Sequence, residues 1–236
     1  MHSYKVGQLV PYRIRTAIGK LYRHTAFKRA MTRFLNALER NATIDDEILK
    51  ELIYGWGNEN WSALDEFLSS CIVQALQVQG PILECGSGLS TILVGMAAQI
   101  HDKTICTLEH NSVWAARVRR ILNRYDITSV SLITTPLKDY GSFCWYEPPV
   151  PATAEKFSFV ICDGPPGTTK GGRYGLVAVM KDRLAPGCVI YLDDAGRTDE
   201  QSTAQRWETE LGATLRVLGT KKPFAELVLP HDETPQ

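Results

Sequence analysis

Several things are scarce or missing from this 236-residue sequence. No apolar stretch approaches the ~20 residues needed to cross a bilayer, which excludes a membrane-spanning helix. The opening residues, MHSYKVGQLVPYRIR, lack the apolar centre of a signal peptide, so the cytoplasm is the expected compartment. None of the six cysteines (Cys71, Cys85, Cys106, Cys144, Cys162 and Cys188) stands in a CxxC pair. Zinc sites need clustered ligands at short spacing, and four of the six fall in or at the ends of predicted strands, so buried small hydrophobes are expected. There are no internal repeats and no low-complexity tracts. Net charge is absent too, with 26 basic residues balanced by 26 acidic ones.

What is present is an ordinary globular composition, 44% hydrophobic and 22% charged, enough for a full core. The balance of charge hides an asymmetry: residues 1–40 carry nine lysines and arginines against Glu39 alone. Pro11 is placed to open a helix, because the first helical turn has unpaired N–H groups in any case. Ile14, Ile18 and Leu21, then Phe27, Met31, Phe34, Leu35 and Leu38, fall at helical spacing, with a slip near His24 that predicts two short helices. This basic segment reads as the outer face of helices packed on the main domain or on a second subunit of a homodimer. The other reading is a foot on anionic lipid, a peripheral membrane contact, or on nucleic acid. No aromatics interleave the charges as they do in single-strand binders.

YGWGNENW, residues 54–61, is aromatic and glycine-rich. Tyr54 and Trp56 read as a flap hinged at Gly55 and Gly57, and Trp61 as a core anchor. Ser62 and Asp65 fit a capping box for a helix to about Gln79. Beyond it, apolar runs of strand length at 82–85, 104–108, 129–133, 157–162 and 188–192 are separated mostly by helical patterns at 90–100, 111–124 and 173–184. Short Val/Ile/Leu runs without polar alternation suit strands covered on both faces, hence a parallel sheet in a doubly wound α/β fold. Thr198 and Gln201 are expected to cap a helix carrying Ala204, Trp207 and Leu211 on one face. Strands at 213–218 and 224–229 then follow, too close in sequence to pair any way but antiparallel. The expected organisation is a basic helical segment, 1–50, and an α/β domain, 51–236.

Four motifs carry the chemistry. The first is ECGSGLST, residues 84–91, where a strand leaves through glycines into a helix whose free N–H groups favour a ligand. A dinucleotide cradle would want a third glycine where the chain has Thr91, so a pyrophosphate, and a nicotinamide dehydrogenase with it, is disfavoured. The second is Glu109, ending the next strand, where an acid accepts hydrogen bonds from both hydroxyls of a ribose; it also suits the start of the helix at Asn111. The third is FSFVICDGPPG, in which Asp163 ends a strand ahead of a rigid loop. The fourth is CVIYLDDAGR, whose strand ends in Asp193 and Asp194. Three carboxylates at neighbouring strand ends could bind Mg2+ or another divalent cation, position a substrate hydroxyl, or cap loops.

In this order and with a final hairpin, ECGSGLST, LEHN, CDGPPG and LDDAGR resemble a class I S-adenosylmethionine-dependent methyltransferase over roughly residues 54–229. Within that superfamily the chain is most similar to bacterial small enzymes of the "methyltransferase 24" type. The resemblance implies a Rossmann-like seven-stranded sheet, six strands parallel and the last inserted antiparallel. It implies that Glu84, Gly86, Ser87 and Gly88 face the methionine part of the cofactor, with Ser90 and Thr91 beside it at the helix start. Glu109 would hold the ribose and His110 flank the adenine. The acid that often binds the adenine amino group is replaced by TTPLKDYG, leaving Leu137 or main-chain atoms to stand in. Asp163 would border the cofactor. Asp163, Asp193 and Asp194 fall where cation-dependent O-methyltransferases carry their ligands, although Asp194 replaces an Asn and no lysine stands three residues after Asp163. The residues 135–156 are too proline-rich for the usual helix.

Methyl transfer from a sulfonium is an in-line displacement, so holding nucleophile and methyl in line is much of the catalysis. A hydroxyl acceptor also needs a base or a metal, which gives Asp163 and Asp194 catalytic roles. Lys170, Arg173, Tyr174 and Arg197, on the facing loops, could bind an acidic or sugar-like acceptor; Arg173 is equally a helix-start residue bonded to its own loop. Residues 138–141 and 143–146 are the other expected acceptor wall, since long loops are where binding surfaces lie. O-methylation of a small-molecule or glycan-linked hydroxyl is the expected function. The alternatives are a nucleic-acid-modifying methyltransferase docking through residues 1–40 and a binding module that keeps the fold without catalysis.

Overall fold

A computed structural model describes residues 12–58, 63–147 and 156–231. The chain divides into two compact units between residues 62 and 63, so residues 51–58 belong with the N-terminal helices. Pro11, Trp61 and Ser62, with the expectations attached to them, lie outside the described residues.

The first unit is a helical pair. The slip expected near His24 does not break the helix: α1 runs unbroken over Tyr12–Glu39. Its second half buries Phe27, Met31, Phe34 and Leu38, while Ile14, Ile18 and Leu21 stay exposed. Helix α2, Asp46–Trp56, starts at Asp45, whose carboxylate accepts the Glu47 N–H, and ends at Gly57 in the left-handed region. Arg29 and Arg33 both pair with Glu51 of α2. Trp56 is no flap. It is buried against Phe27, ring centroids 6.1 Å apart. Gly55 is no hinge either, because it is helical and a Cβ there would stand 2.7 Å from the Cβ of Phe27. Two helices close-packed at a glycine leave no room for a lid.

The second unit opens with α3 (Asp65–Gln77) and alternates β1 (Ile82–Cys85), α4 (Leu89–Ile100), β2 (Ile105–Glu109), α5 (Ser112–Arg124) and β3 (Val130–Thr134). A small hairpin, β4 (Leu137–Asp139) and β5 (Cys144–Tyr146), follows where the usual helix was not expected. Then come β6 (Phe157–Cys162), α6 (Gly175–Met180), β7 (Leu184–Leu192), α7 (Thr198–Leu211), β8 (Thr214–Leu218) and β9 (Phe224–Val228). Helix α7 begins at Thr198 as predicted, but its N-cap is Arg197 and no side chain caps it.

The seven-stranded sheet has the order β3-β2-β1-β6-β7-β9-β8. Every pairing is parallel except those of β9, which is inserted between β7 and β8 and runs against both. Strand side chains alternate between two covered faces. Leu83, Cys85, Leu108, Val160, Cys162, Cys188, Ile190 and Leu192 pack with Trp145, Leu176, Val177 and Trp207 of the hairpin, α6 and α7. Cys85, Cys162 and Cys188 are thus the small hydrophobes the sequence suggests, and none of the six cysteines is in a disulfide. Among the described residues no helix is long and apolar enough to cross a membrane.

The strand order reverses at β1, which lies between β2 and β6. Such a switch point opens a crevice at the carboxyl ends of the strands. Here the two loops that flank it touch through their backbones. Gly86, at φ +88°, has no space for a side chain, since a Cβ would lie 2.8 Å from the amide nitrogen of Gly164. A Cβ on Gly164 would lie 2.8 Å from the Cα of Gly86. Gly86→Ala combines a left-handed backbone with a backbone clash, so we expect it to cost ~2 kcal/mol or more in urea unfolding. Gly88→Ala, where a Cβ meets only Ser90 Oγ at 3.9 Å, should change stability by no more than about 1 kcal/mol. Equal losses at the two positions would show that the seam is not the constraint.

Candidate active site at the switch point

The glycine turn is braced from three sides. Glu109, buried at the end of β2, accepts hydrogen bonds from Ser87 N–H (3.0 Å) and the Ser87 hydroxyl (2.8 Å) on Oε2, and from Asn111 N–H (2.8 Å) on Oε1. Trp114, on α5, donates its indole N–H to the Ser87 carbonyl at 2.7 Å. The amide of Gly88 donates to Thr91 Oγ1 at 2.8 Å, closing the first turn of α4. Asn111 caps α5, accepting from Val113 and Trp114.

Beneath the turn, Glu84 is buried with Ser90 donating to Oε1 (2.6 Å) and Thr107 to Oε2 (2.9 Å). Ser90 and Thr91 therefore serve the scaffold in this structure, one holding Glu84 and the other the turn. His110 reaches the crevice wall with its ring 6.3 Å from that of Tyr146, and its Nδ1 is buried without a hydrogen-bond partner. Leu137 is the strand partner of Tyr146, so the residue expected beside an adenine and this aromatic stand together.

The acids at the ends of β6 and β7 also converge. Ligand atoms of Asp163, Asp193 and Asp194 lie within 4.8 Å of one another. Asp194 sits at φ +63°, a conformation Asp tolerates better than most residues and one often stored at functional sites. Two cations already occupy the cluster. Arg173, 3% exposed, donates to the Asp163 carboxylate (3.1 Å), the Asp194 carboxylate (3.0 Å) and the carbonyls of Asp163 (2.9 Å) and Asp193 (2.6 Å). Lys222 Nζ lies 2.7 Å from Asp193 and 2.9 Å from Asp194, and Arg197 adds a third contact to Asp194 at 3.0 Å. Arg173 thus acts as a loop-bonded residue just ahead of α6. Lys170 does not join the acids; it pairs with Asp139 of the hairpin at 3.2 Å.

The three carboxylates differ in proton affinity. Burial and the charge of Asp193 push Asp163 well above the ordinary carboxylate range, against the pull of Arg173 and Lys222. Burial also raises Asp194, but its hydrogen bond from Lys222 and the charges of Arg173, Lys222 and Arg197 win and hold it low. Asp163 is also the most open of the three, its side chain 24% exposed against 7% or less for the others. Beyond Arg173 lies a groove of about 440 Å³ bordered by Ser142, Thr169, Tyr174, Ser202 and Arg206.

Sequence reasoning passed over Lys222, which stands in the short link between the strands expected at 213–218 and 224–229. The register places it: β9 runs antiparallel beside β7 with Ala225 opposite Leu192, so a residue just before β9 stands beside those just after β7. Trp114 offered no such signal.

No protein-family model matches the chain, and no curated protein does. Solved structures do. SAH-bound Podospora anserina methyltransferase PaMTH1 aligns at a TM-score of 0.56 and 17% identity, over 95% of this chain and 99% of that one. The O-methyltransferase from Bacillus cereus in complex with SAH aligns at 0.54 and 19% identity, over 79% and 92%. Precorrin-6y C5,15-methyltransferase from Geobacter metallireducens aligns at 0.54 and 15% identity, over 72% and 92%. The fold is that of these methyltransferases.

Glu84 carries a prediction. Burial pushes it up to about 7, from 4.5, even though hydroxyl hydrogen bonds from Ser90, Thr91 and Thr107 pull the other way. An acid whose folded pKa is raised binds more protons folded than unfolded inside that window. Its ionisation therefore costs stability as pH rises from 4.5 to about 7, ~3 kcal/mol in full. In urea unfolding at a series of pH values, the stability of Glu84→Gln relative to wild type should rise by about that amount from pH 4.5 to above 7. A difference that does not change with pH would show that Glu84 titrates in the folded protein as it does in the unfolded chain.

Proposed function

We propose that the protein is an S-adenosylmethionine-dependent methyltransferase that methylates a hydroxyl group on a polyhydroxylated small-molecule or glycan acceptor. The observation that carries this reading is the pairing, across one switch point, of a carboxylate-braced glycine turn with a half-open carboxylate of raised proton affinity, Asp163.

The turn suits the cofactor. A Cβ on Gly88 would meet only Ser90 Oγ, at 3.9 Å, so the main chain there admits close approach, and the buried Nδ1 of His110 makes no hydrogen bond. Glu109 accepts three hydrogen bonds and has His110 Nδ1 3.3 Å from Oε1, and one of the three donors is the Ser87 hydroxyl, an exchangeable side-chain group. Ribose hydroxyls suit what remains. When bound, the cofactor supplies an electrophilic methyl on a good leaving group.

A divalent cation does not fit the acid cluster as it stands. The Asp193 and Asp194 oxygens facing the cluster are taken by Lys222, and one oxygen each of Asp163 and Asp194 by Arg173. A metal would have to displace a half-buried ammonium and a buried guanidinium. The chemistry is assigned instead to Asp163 as the base that takes the acceptor's proton. A raised carboxylate is better matched to that task than an ordinary one. Arg173 and Lys222 are the fixed charges that keep Asp194 ionised beside it. The hydroxyl, tyrosine and arginine side chains of the groove beyond Arg173 favour a sugar-like acceptor over an apolar one.

Calorimetric titration of chelator-treated protein with S-adenosylmethionine should show micromolar binding, weakened ~10-fold or more by Glu109→Ala. No heat at millimolar cofactor from folded protein would end the methyltransferase reading. With a panel of polyhydroxylated acceptors, Asp163→Asn should lose ~10²-fold or more in turnover while still binding cofactor. Wild-type turnover should survive EDTA. Loss in EDTA that Mg2+ restores would return the acid cluster to a metal.

A further inference from the structure

Tyr146 is fully buried, yet its hydroxyl has no hydrogen-bond partner. Native structures leave few buried polar atoms unpaired, and each such atom calls for a reason. A phenylalanine would fill the same volume without that penalty. The surroundings of the hydroxyl supply the reason. Tyr146 ends β5, and a Cβ on Gly164 would stand 2.5 Å from its oxygen and 2.8 Å from the Cα of Gly86. The hydroxyl thus lies at the joint of the two loops that form the switch-point crevice. Its ring centroid lies 6.3 Å from that of His110, whose buried Nδ1 stands 3.3 Å from Glu109 Oε1 without a hydrogen bond. The Tyr146 hydroxyl is thus a buried donor without an acceptor, in an aromatic neighbour of the residue beside Glu109.

We propose that Tyr146 is a cofactor-holding residue, its hydroxyl donating a hydrogen bond to the nucleoside sulfonium ligand, with His110 Nδ1 as a second polar contact from the same wall. This rests on the methyltransferase reading and adds to it a residue that no motif marks. Burial pushes the phenol well above its ordinary value, so it stays protonated and remains a donor at neutral pH. The hairpin β4–β5 then has a purpose: it carries Leu137 and Tyr146, strand partners, to the crevice together.

A hydroxyl kept for a ligand penalises the empty protein and benefits the loaded one, and this gives the test its signature. In full-length protein, Tyr146→Phe should raise the Tm of the cofactor-free form by ~2–4 °C, because an unsatisfied buried group is removed. The same change should weaken S-adenosylmethionine binding ~5- to 10-fold by calorimetry and shrink the cofactor-induced rise in Tm. If wild type binds cofactor and the variant binds it equally well, the proposal fails and the methyltransferase reading stands. A lower Tm for the cofactor-free variant with unchanged affinity also overturns it, since the hydroxyl would then be serving the fold. If wild type itself binds no cofactor, the reading and this proposal fall together.

Discussion

Arg173 holds the carboxyl edge of the sheet together. Its guanidinium reaches the end of β6 through the Asp163 carboxylate and carbonyl, and the end of β7 through the Asp193 carbonyl and the Asp194 carboxylate. Three acids at adjacent strand ends, two of them almost wholly buried, would repel one another and pay a large desolvation cost without such a partner. Lys222 and Arg197 complete the neutralisation. The remaining geometry follows from this: with β6 and β7 fixed in register at their ends, the loop from Asp163 can press Gly164 against Gly86. One buried cation and two glycines in backbone contact thus meet at the same edge of the sheet.

The three acids share one cation system yet end in different states. Asp194, contacted by all three basic side chains, is held as an anion. Asp163 is raised by burial first and then by the charge of Asp193, and the pull of Arg173 and Lys222 does not offset them. Neighbouring carboxylates whose environments push them apart are the usual mark of assigned acid and base roles. A metal would remove that contrast by holding all of them ionised. An internal ammonium preserves it.

Much of this was legible in the sequence, and the limits have physical causes. Parallel strands buried on both faces write themselves as short apolar runs, so β1, β2, β3 and β6 were found within a residue or so. The closing hairpin was forced by chain length alone. Glu109, Asp163, Asp193 and Asp194 could be placed because strand ends at a sheet's carboxyl edge converge whatever their sequence neighbours. Pairing between long side chains could not be placed. Lys170 turned to Asp139, Lys222 entered the acid cluster, and Trp56 went into a helix contact, because each choice depends on tertiary distance. Helix α1 was split in error where packing changes from exposed Ile14, Ile18 and Leu21 to buried Phe27 and Met31. The apolar phase slips there, and the backbone does not.

Identities of 15–19% with the aligned methyltransferases mean that shared backbone geometry, rather than shared side chains, carries the likeness. What distinguishes this chain should then lie where its own residues fill that geometry. The hairpin β4–β5 is one such place, seating Trp145 against Gly175 of α6 and Tyr146 against the glycine seam. Trp145, like Tyr146, is buried with its polar atom unpaired. Gly175 has no room for a Cβ, which would meet the Trp145 ring at 2.7 Å, so α6 and the hairpin cannot separate by small steps. Arg173 lies two residues before that glycine. The hairpin, α6 and the loop after β6 are thus one packed unit around Arg173, with Tyr146 seated directly on Gly164, the residue that follows Asp163.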